Sequence, residues 1–292
     1  MRIFLTGSNG RIGSVVERIF TEAGHEVVGY DIADGHDIMD PAAVHKAMEG
    51  CDWVAHLAMA MGKKNAPDVS YASGTVGTFN VLQAAEAHGV TRIVSYSSVN
   101  AMGLFMGEDT PDFLPLDETH VCRPGRPYGT SKYLGEQTCR LFTRRTGIPT
   151  VCIRPPAVWT DKAIESVKEE REKDAEFEWT PYWEYGCYIH VEDLARATLC
   201  ALTCPDPGHI PLLVVADDVG CDRHRHRRHL QLRRVQRVVV AVDDECDRHR
   251  HRRHQQPRRG QHFVVVAVGS ELVDHRRRRQ HLQWWGVVGA GG

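Results

Sequence analysis

The chain has 292 residues, of which 42% are hydrophobic and 25% charged. This supply of apolar residues suffices for a sizeable core, which excludes a wholly disordered chain, and no apolar run approaches the roughly 20 residues that a membrane helix needs. The formal net charge of −2 is the sum of two parts of opposite charge. From Cys221 onward there are 17 Arg, 7 Asp or Glu and no Lys, which gives this part a formal charge of +10 and leaves about −12 on the first 220 residues.

We expect a cytoplasmic protein with free thiols. A strand-like run follows Met1 directly and leaves no room for a signal peptide. The nine cysteines are scattered and form no Cys-x-x-Cys pair.

Residues 1–216 alternate β-rich runs with amphipathic stretches, a pattern typical of a parallel sheet covered by helices on both faces. We therefore predict a doubly wound α/β domain of the Rossmann type over residues 1–216. The predicted strands are Arg2–Thr6, Glu26–Asp31, Trp53–Ala58, Arg92–Ser98, Thr150–Arg154 and Pro211–Ala216.

Three helices are predicted between these strands. The first carries Ile12, Val15, Val16, Ile19 and Ala23 at helical spacing, and the other two run over about residues 71–88 and 127–146. The charged stretch at 161–178, within a predicted lid segment at 161–187, indicates a solvated helix or a lid over a cleft rather than a specific charged site.

Residues 217–292 have no helix or strand period. The nine letters CDRHRHRRH occur at 221–229 and again at 246–254. A nucleic-acid-binding tail and a metal site at Cys221, His224, His226 and His229 are two functional interpretations. We favour a third, that this part is the product of a shifted reading frame in a GC-rich gene, and we assign it neither a nucleic-acid partner nor a metal.

A glycine-rich loop lies between the first strand and the first helix, in the sequence TGSNGRIG from Thr6. Gly7 allows a tight turn, Gly10 allows close approach of a pyrophosphate, and Gly13 allows the helix to pack on the strand. Asp31 ends the second strand about 20 residues later, where a carboxylate can bind ribose hydroxyls and repel a 2'-phosphate. This context predicts NAD rather than NADP.

Tyr128 and Lys132 lie four residues apart on a predicted helix, so they share one face. We expect the ammonium to lower the pKa of the phenol, which would make Tyr128 a general base for hydride transfer to a nicotinamide. Ser98, at the carboxyl end of the fourth strand, could bind the reacting oxygen.

Seven stretches together resemble the NAD-dependent epimerase/dehydratase family of extended short-chain dehydrogenases/reductases over residues 1–216. They are TGSNGRIG at Thr6, VAHLAMA at Val54, GTFNVLQAA at Gly77, RIVSYSSVNAMG at Arg92, YGTSK at Tyr128, IRPPAVW at Ile153 and YIHVEDLARA at Tyr188. The resemblance implies a catalytic triad of Ser98, Tyr128 and Lys132. It also implies a cofactor site that contains, besides the residues above, Arg11, Ile12, Asp37, Ile38, Leu57, Ala58 and Pro155, with Arg154 and His190 serving structure or the substrate side.

The chain departs from the family pattern at several positions. Gly74 replaces a usual Asn, and Val99-Asn100 replaces the acidic pair of the dehydratases, which argues against a 4,6-dehydratase. Residues 217–292 do not match the part that completes the substrate pocket in the family.

Three functions follow from these observations. We predict an NAD-dependent dehydrogenase for a sugar or sugar acid, similar to uronate dehydrogenases; the alternatives are a nucleotide-sugar epimerase and a catalytically silent NAD-binding or interaction protein. The resemblance also implies a homodimer formed by the helices at 71–88 and 127–146.

Overall fold

The computed structural model describes residues 1–60, 66–113, 116–174, 177, 187–205 and 207–216. The predicted Arg/His-rich tail and part of the predicted lid segment lie outside the described residues.

Strands and helices alternate along the chain. They are β1 (Arg2–Thr6), α1 (Gly13–Glu22), β2 (Glu26–Tyr30), α2 (Pro41–Ala47), β3 (Trp53–His56), α3 (Pro67–Ala72), α4 (Thr78–Ala87), β4 (Arg92–Tyr96), α5 (Pro127–Thr146), β5 (Thr150–Arg154), β6 (Ala157–Trp159), α6 (Asp161–Lys173), β7 (Tyr188–His190), α7 (Val191–Thr203) and β8 (His209–Leu213).

Six strands form one parallel sheet in the order β2-β1-β3-β4-β5-β8, and β6 pairs with β7 in a second, two-stranded parallel sheet. The sheet order reverses beside β1, between β1 and β3. Open α/β sheets bind ligands outside the carboxyl ends of their strands at this kind of switch point. The predicted fold class is confirmed.

Helices cover both faces of the large sheet. One hydrophobic cluster joins the sheet to α1 and α7 through residues such as Val16 and Leu194, and the other joins it to α2, α4 and α5 through residues such as Val44, Leu82 and Phe142. Both faces are therefore apolar, which explains why strands such as IFLT in β1 are runs of apolar residues rather than alternating ones.

Several predicted boundaries were wrong. Strands β2, β3 and β4 end one or two residues earlier than expected, because the chain turns out of the sheet there to form loops at its carboxyl edge. The last strand is His209–Leu213 and not Pro211–Ala216, because His209 already pairs with Thr150 of β5.

The predicted helix at 71–88 is divided. It begins at Pro67 and contains a π-helical turn at Ser73–Gly77 before α4 starts at Thr78. The charged stretch at 161–173 is the helix α6, in which no residue is buried, as expected for a solvated surface helix. No helix among the described residues is long and apolar enough to cross a membrane.

Candidate active site

The glycine loop after β1 is shaped by close backbone contacts. Gly7 has a φ of +76°, and a Cβ at this position would lie 2.9 Å from the nitrogen of Ala58. A Cβ at Gly13 would lie 1.9 Å from the carbonyl oxygen of Gly7, so α1 can start this close to β1 only with glycine. At Gly10, in contrast, a Cβ would meet a single atom within 4 Å, the oxygen of Gly7 at 3.1 Å. The space over Gly10 is open, which fits a pyrophosphate.

A buried chain of side-chain hydrogen bonds supports this loop. The hydroxyl of Thr6 accepts from the backbone nitrogens of Leu57 and Ala58, both at 3.1 Å, and lies 2.8 Å from Nδ1 of His56. On its other side, Nε2 of His56 lies 3.1 Å from the hydroxyl of Thr78, which donates to Gly74. Burial, with the charge of Lys132 as the smaller cause, lowers the pKa of His56 to about 3, so the ring is neutral.

Asp31 directly follows β2 and holds the glycine loop through its carboxylate. One carboxylate oxygen accepts from the backbone nitrogen of Asn9 at 3.0 Å, and the other accepts from Ala33 at 2.9 Å. The side chain of Asn9 in turn donates to Asp34 at 2.8 Å. Two carboxylates therefore stand at the end of β2, and the sequence analysis named only the first.

A cavity of about 320 Å³ opens at the carboxyl edge of the sheet, next to this loop. It brings together seven of the predicted site residues. These are Arg11, Ile12, Leu57, Ser98, Tyr128, Lys132 and Pro155.

The remaining predicted site residues do not line this cavity. Gly7, Gly10, Gly13 and Asp31 form the loop and its support, and Ala58 lies against Gly7. Ile38 is buried in the core, and its carbonyl oxygen accepts from the side chain of Asn80 of α4 at 3.0 Å. The carboxylate of Asp37 accepts from the backbone nitrogen of Met39.

Helix α5 places Tyr128 and Lys132 in the cavity. It begins at Pro127, and the carboxylate of Glu108 accepts from the backbone nitrogens of Gly125 and Arg126 at 2.7 and 3.1 Å, just before the helix. Because negative charge is favourable at a helix N-terminus, Glu108 fixes the turn that presents Tyr128.

The pKa values of Lys132 and Tyr128 in the cavity are shifted by burial. Lys132 donates through Nζ to the carbonyl oxygen of Tyr96 at 2.6 Å, and burial lowers its pKa to about 8. Burial raises the pKa of Tyr128, and a hydrogen bond with Ser98 opposes this rise. The predicted lowering of the pKa of Tyr128 by Lys132 was wrong for the protein without ligands, because the desolvation of the phenol outweighs the other effects.

Gly74, one of the departures from the family pattern, lies close to α5. A Cβ at Gly74 would lie 2.8 Å from the hydroxyl of Ser131, which is fully buried in α5. A Cβ at Gly135, one turn later, would lie 3.2 Å from the oxygen of Gly74. A side chain at position 74 would therefore require the side chain of Ser131 to move.

Sequence reasoning missed nine residues of the cavity wall. They are Met59, Tyr96, Ser97, Val99, Asn100, Phe105, Pro156, Ala157 and Val158. Tyr96 and Ser97 lie within a predicted strand, and extending the predicted strand ends by two positions would have found four more of the nine, namely Met59, Val99, Asn100 and Pro156. Phe105 follows a turn at Gly103, and no predicted strand end pointed to it.

Comparisons with known proteins agree with this geometry. The model of the family described as "NAD dependent epimerase/dehydratase family" matches residues 3–215. A uronate dehydrogenase of Pseudomonas syringae is 28% identical over 229 residues, which cover 74% of this chain and 75% of that protein. A putative UDP-glucose 4-epimerase of Methanocaldococcus jannaschii is 29% identical over 178 residues, which cover 55% of this chain and 57% of that protein.

Among solved structures, a short-chain dehydrogenase/reductase superfamily protein from Agrobacterium tumefaciens with bound NAD aligns with a TM-score of 0.60 and 25% identity. The alignment covers 74% of this chain and 78% of that one. A family model that matches more than two thirds of the chain confirms the predicted family, and the glycine loop and cavity lie within the matched residues. The chain belongs to the NAD dependent epimerase/dehydratase family.

Proposed function

We propose that this protein is an NAD-dependent oxidoreductase that moves a hydride between a hydroxyl-bearing carbon of a sugar or sugar acid and the nicotinamide. The observation that carries the proposal is the meeting of Ser98, Tyr128 and Lys132 in one cavity beside the glycine loop. Hydroxyl, phenol and ammonium are the groups that bind, deprotonate and electrostatically support an alcohol under oxidation.

Each side chain has a distinct part in this proposal. Ser98 donates a hydrogen bond to the reacting oxygen, and Tyr128 accepts its proton. Lys132 stabilises the phenolate electrostatically, because a nearby positive charge favours a negatively charged form. NAD, when bound, supplies the hydride acceptor.

The residues at the loop fit NAD. Gly10 leaves open space, and the backbone nitrogens at the start of α1 provide a favourable end for an anion. Asp31 and Asp34 put two carboxylates where a 2'-phosphate would have to bind, which favours NAD over NADP by charge repulsion. The double variant Asp31→Ser with Asp34→Ser should therefore lower the ratio of kcat/KM with NAD to kcat/KM with NADP.

The relatives divide between dehydrogenases and epimerases, so the reaction needs its own test. We favour a dehydrogenase because the similarity to a uronate dehydrogenase extends over 229 residues. Incubation with NAD and a panel of uronic acids and neutral sugars should yield NADH in molar proportion to the oxidised sugar. An epimerase would convert a nucleotide sugar without net NADH, and a silent protein would bind NAD and do neither.

We also propose a cytoplasmic homodimer. Helices α3 and α4 pack against α5, and these helices and the turn between α3 and α4 carry several large apolar side chains that are exposed. They are Val69 (46% exposed), Tyr71 (38%), Val76 (47%), Phe79 (50%) and Leu141 (53%). Sedimentation of the wild type and of Phe79→Lys combined with Leu141→Lys tests the dimer: the wild type should sediment as two copies and the variant as one, and a monomeric wild type would contradict it.

A further inference from the structure

A buried ion pair lies directly behind the cavity. Glu136 of α5 receives two hydrogen bonds from the guanidinium of Arg154, at 2.8 and 2.7 Å, and a short one from the hydroxyl of Ser97. The side chains of Glu136 and Arg154 are 2% and 3% exposed. Burial opposes the charge of Arg154, but Glu136 raises the pKa of the guanidinium.

Each residue of this cluster adjoins a residue of the cavity. Ser97 precedes Ser98, and Arg154 precedes Pro155. Glu136 lies one helical turn after Lys132 and two turns after Tyr128, on the same face of α5. Together with Ser97, the pair thus connects α5, β5 and the end of β4, the three segments that carry or adjoin the proposed catalytic and cofactor residues.

Stability alone does not explain such a pair. Taking two charges out of water costs free energy that their attraction often only balances, and apolar pairs of similar volume are frequently as stable. Lys132 and Glu136 lie about 6 Å apart along the helix axis. Burial lowers the pKa of Lys132, and Cys152, Glu136 and Cys139 oppose this lowering.

We infer that Glu136, held by Arg154 and Ser97, is a positioning residue that keeps Lys132 charged and aligned beside Tyr128. The inference rests on the proposed function of Tyr128 and Lys132. After the two residues together have lost one proton, they exist either as phenol and amine or as phenolate and ammonium. A carboxylate next to the lysine favours the second form, which is the one that accepts a substrate proton.

Glu136 acts more strongly on Lys132 than on Tyr128, since the tyrosine lies about 12 Å away along the helix. Cys152 and Cys139 also raise the pKa of Lys132, and the charge of Lys132 in turn helps to lower the pKa of His56. The titratable groups that face Lys132 are Cys139 and Tyr128 of α5, Cys152 of β5 and His56 of β3.

Glu136→Gln tests the inference because it removes the charge and keeps the shape. We expect the pKa of Lys132, followed by NMR of its side chain in the protein without substrate, to fall by about one unit. In the oxidation assay, kcat on the alkaline plateau should fall about fivefold while the midpoint of the acidic limb moves to lower pH. A purely structural defect would lower kcat without moving this midpoint.

A second variant covers the case in which Glu136→Gln leaves the guanidinium of Arg154 unpaired and unfolds the chain. In the double variant Glu136→Met with Arg154→Met the pair is replaced by apolar groups, and we expect a folded protein with the same lowered pKa and lowered kcat. Wild-type values in this double variant would overturn the inference, and so would an unshifted lysine pKa in Glu136→Gln.

The matched control is Glu86→Gln. Glu86 also pairs with an arginine of α5 through two hydrogen bonds, to Arg145 at 2.7 and 2.6 Å, but this pair is exposed and lies far along the helix from Lys132. The variant Glu86→Gln should leave the pKa of Lys132 and the pH profile of kcat unchanged. Because the NMR titration needs no substrate, a wild type without oxidising activity would contradict the proposed function while leaving the inference open to its own test.

Discussion

The ammonium of Lys132 donates to the carbonyl oxygen of Tyr96 at 2.6 Å, so the lysine of α5 is fixed to the end of β4. Ser97 and Ser98 follow this carbonyl directly and bring the serine hydroxyl to the same cavity as Tyr128. One hydrogen bond therefore couples the position of the helix to the position of the strand end.

Lys132→Met should inactivate the enzyme and stabilise the fold. Burial lowers the pKa of Lys132 from 10.5 to about 8, so the folded protein binds the proton less tightly than the unfolded chain does. This destabilising contribution is fully present below pH 8 and disappears as the pH rises towards 10.5.

We expect Lys132→Met to raise Tm by a few degrees at pH 7 and by less at pH 10, as measured by calorimetry. Lys46→Met, which changes an exposed lysine of α2, serves as the control. A stabilisation that grew with pH would contradict the expected sign.

Thr6→Val should weaken both the fold and the binding of NAD. The hydroxyl of Thr6 accepts from the backbone nitrogen of Ala58 and lies 2.8 Å from Nδ1 of His56, and its loss leaves both groups without this partner. The nitrogen of Leu57 keeps the carbonyl oxygen of Thr6 as an acceptor. Each buried group left unsatisfied costs about 1–3 kcal/mol, which chemical denaturation will detect. Thr21→Val is the control, because the hydroxyl of Thr21 is exposed and donates only to Glu17 of its own helix.

Gly10→Ala and Gly13→Ala should have different effects. A methyl group at position 10 meets one atom at 3.1 Å and otherwise enters the space proposed for the pyrophosphate, whereas at position 13 it would lie 1.9 Å from the oxygen of Gly7. Gly10→Ala should therefore keep its Tm and lose most NAD affinity by calorimetric titration. Gly13→Ala should lose stability as well, and equal thermal stability of the two variants would argue against this account of the loop.

The periodicity of the chain was sufficient to predict the parallel sheet and the helices on both of its faces. Strands such as Arg2–Thr6 are buried on both faces and appear as apolar runs, and the glycine loop follows the first of them. The family and its dependence on NAD were also predicted from motifs and are confirmed.

What depends on burial could not be predicted from residue types. The direction of the shift in the pKa of Tyr128 is set by desolvation, which the spacing of Tyr128 and Lys132 does not reveal. Glu136 and Arg154 are charged residues in a helix and a strand, and only the packing of α5 on the sheet shows that they are buried together. The close packing of the π-helical turn at Ser73–Gly77 against Ser131 of α5 is likewise visible only in the structure.

The most direct test of the proposed function compares the wild type with Tyr128→Phe. Both proteins are given NAD and the sugar that the wild type oxidises fastest, and NADH formation is followed together with the affinity for NAD. Removal of a general base should lower kcat by about 10²- to 10⁴-fold, while NAD affinity stays within about twofold, since the phenol oxygen is not part of the glycine loop. Undiminished NADH formation by the Phe variant would contradict the assignment of Tyr128 as the base.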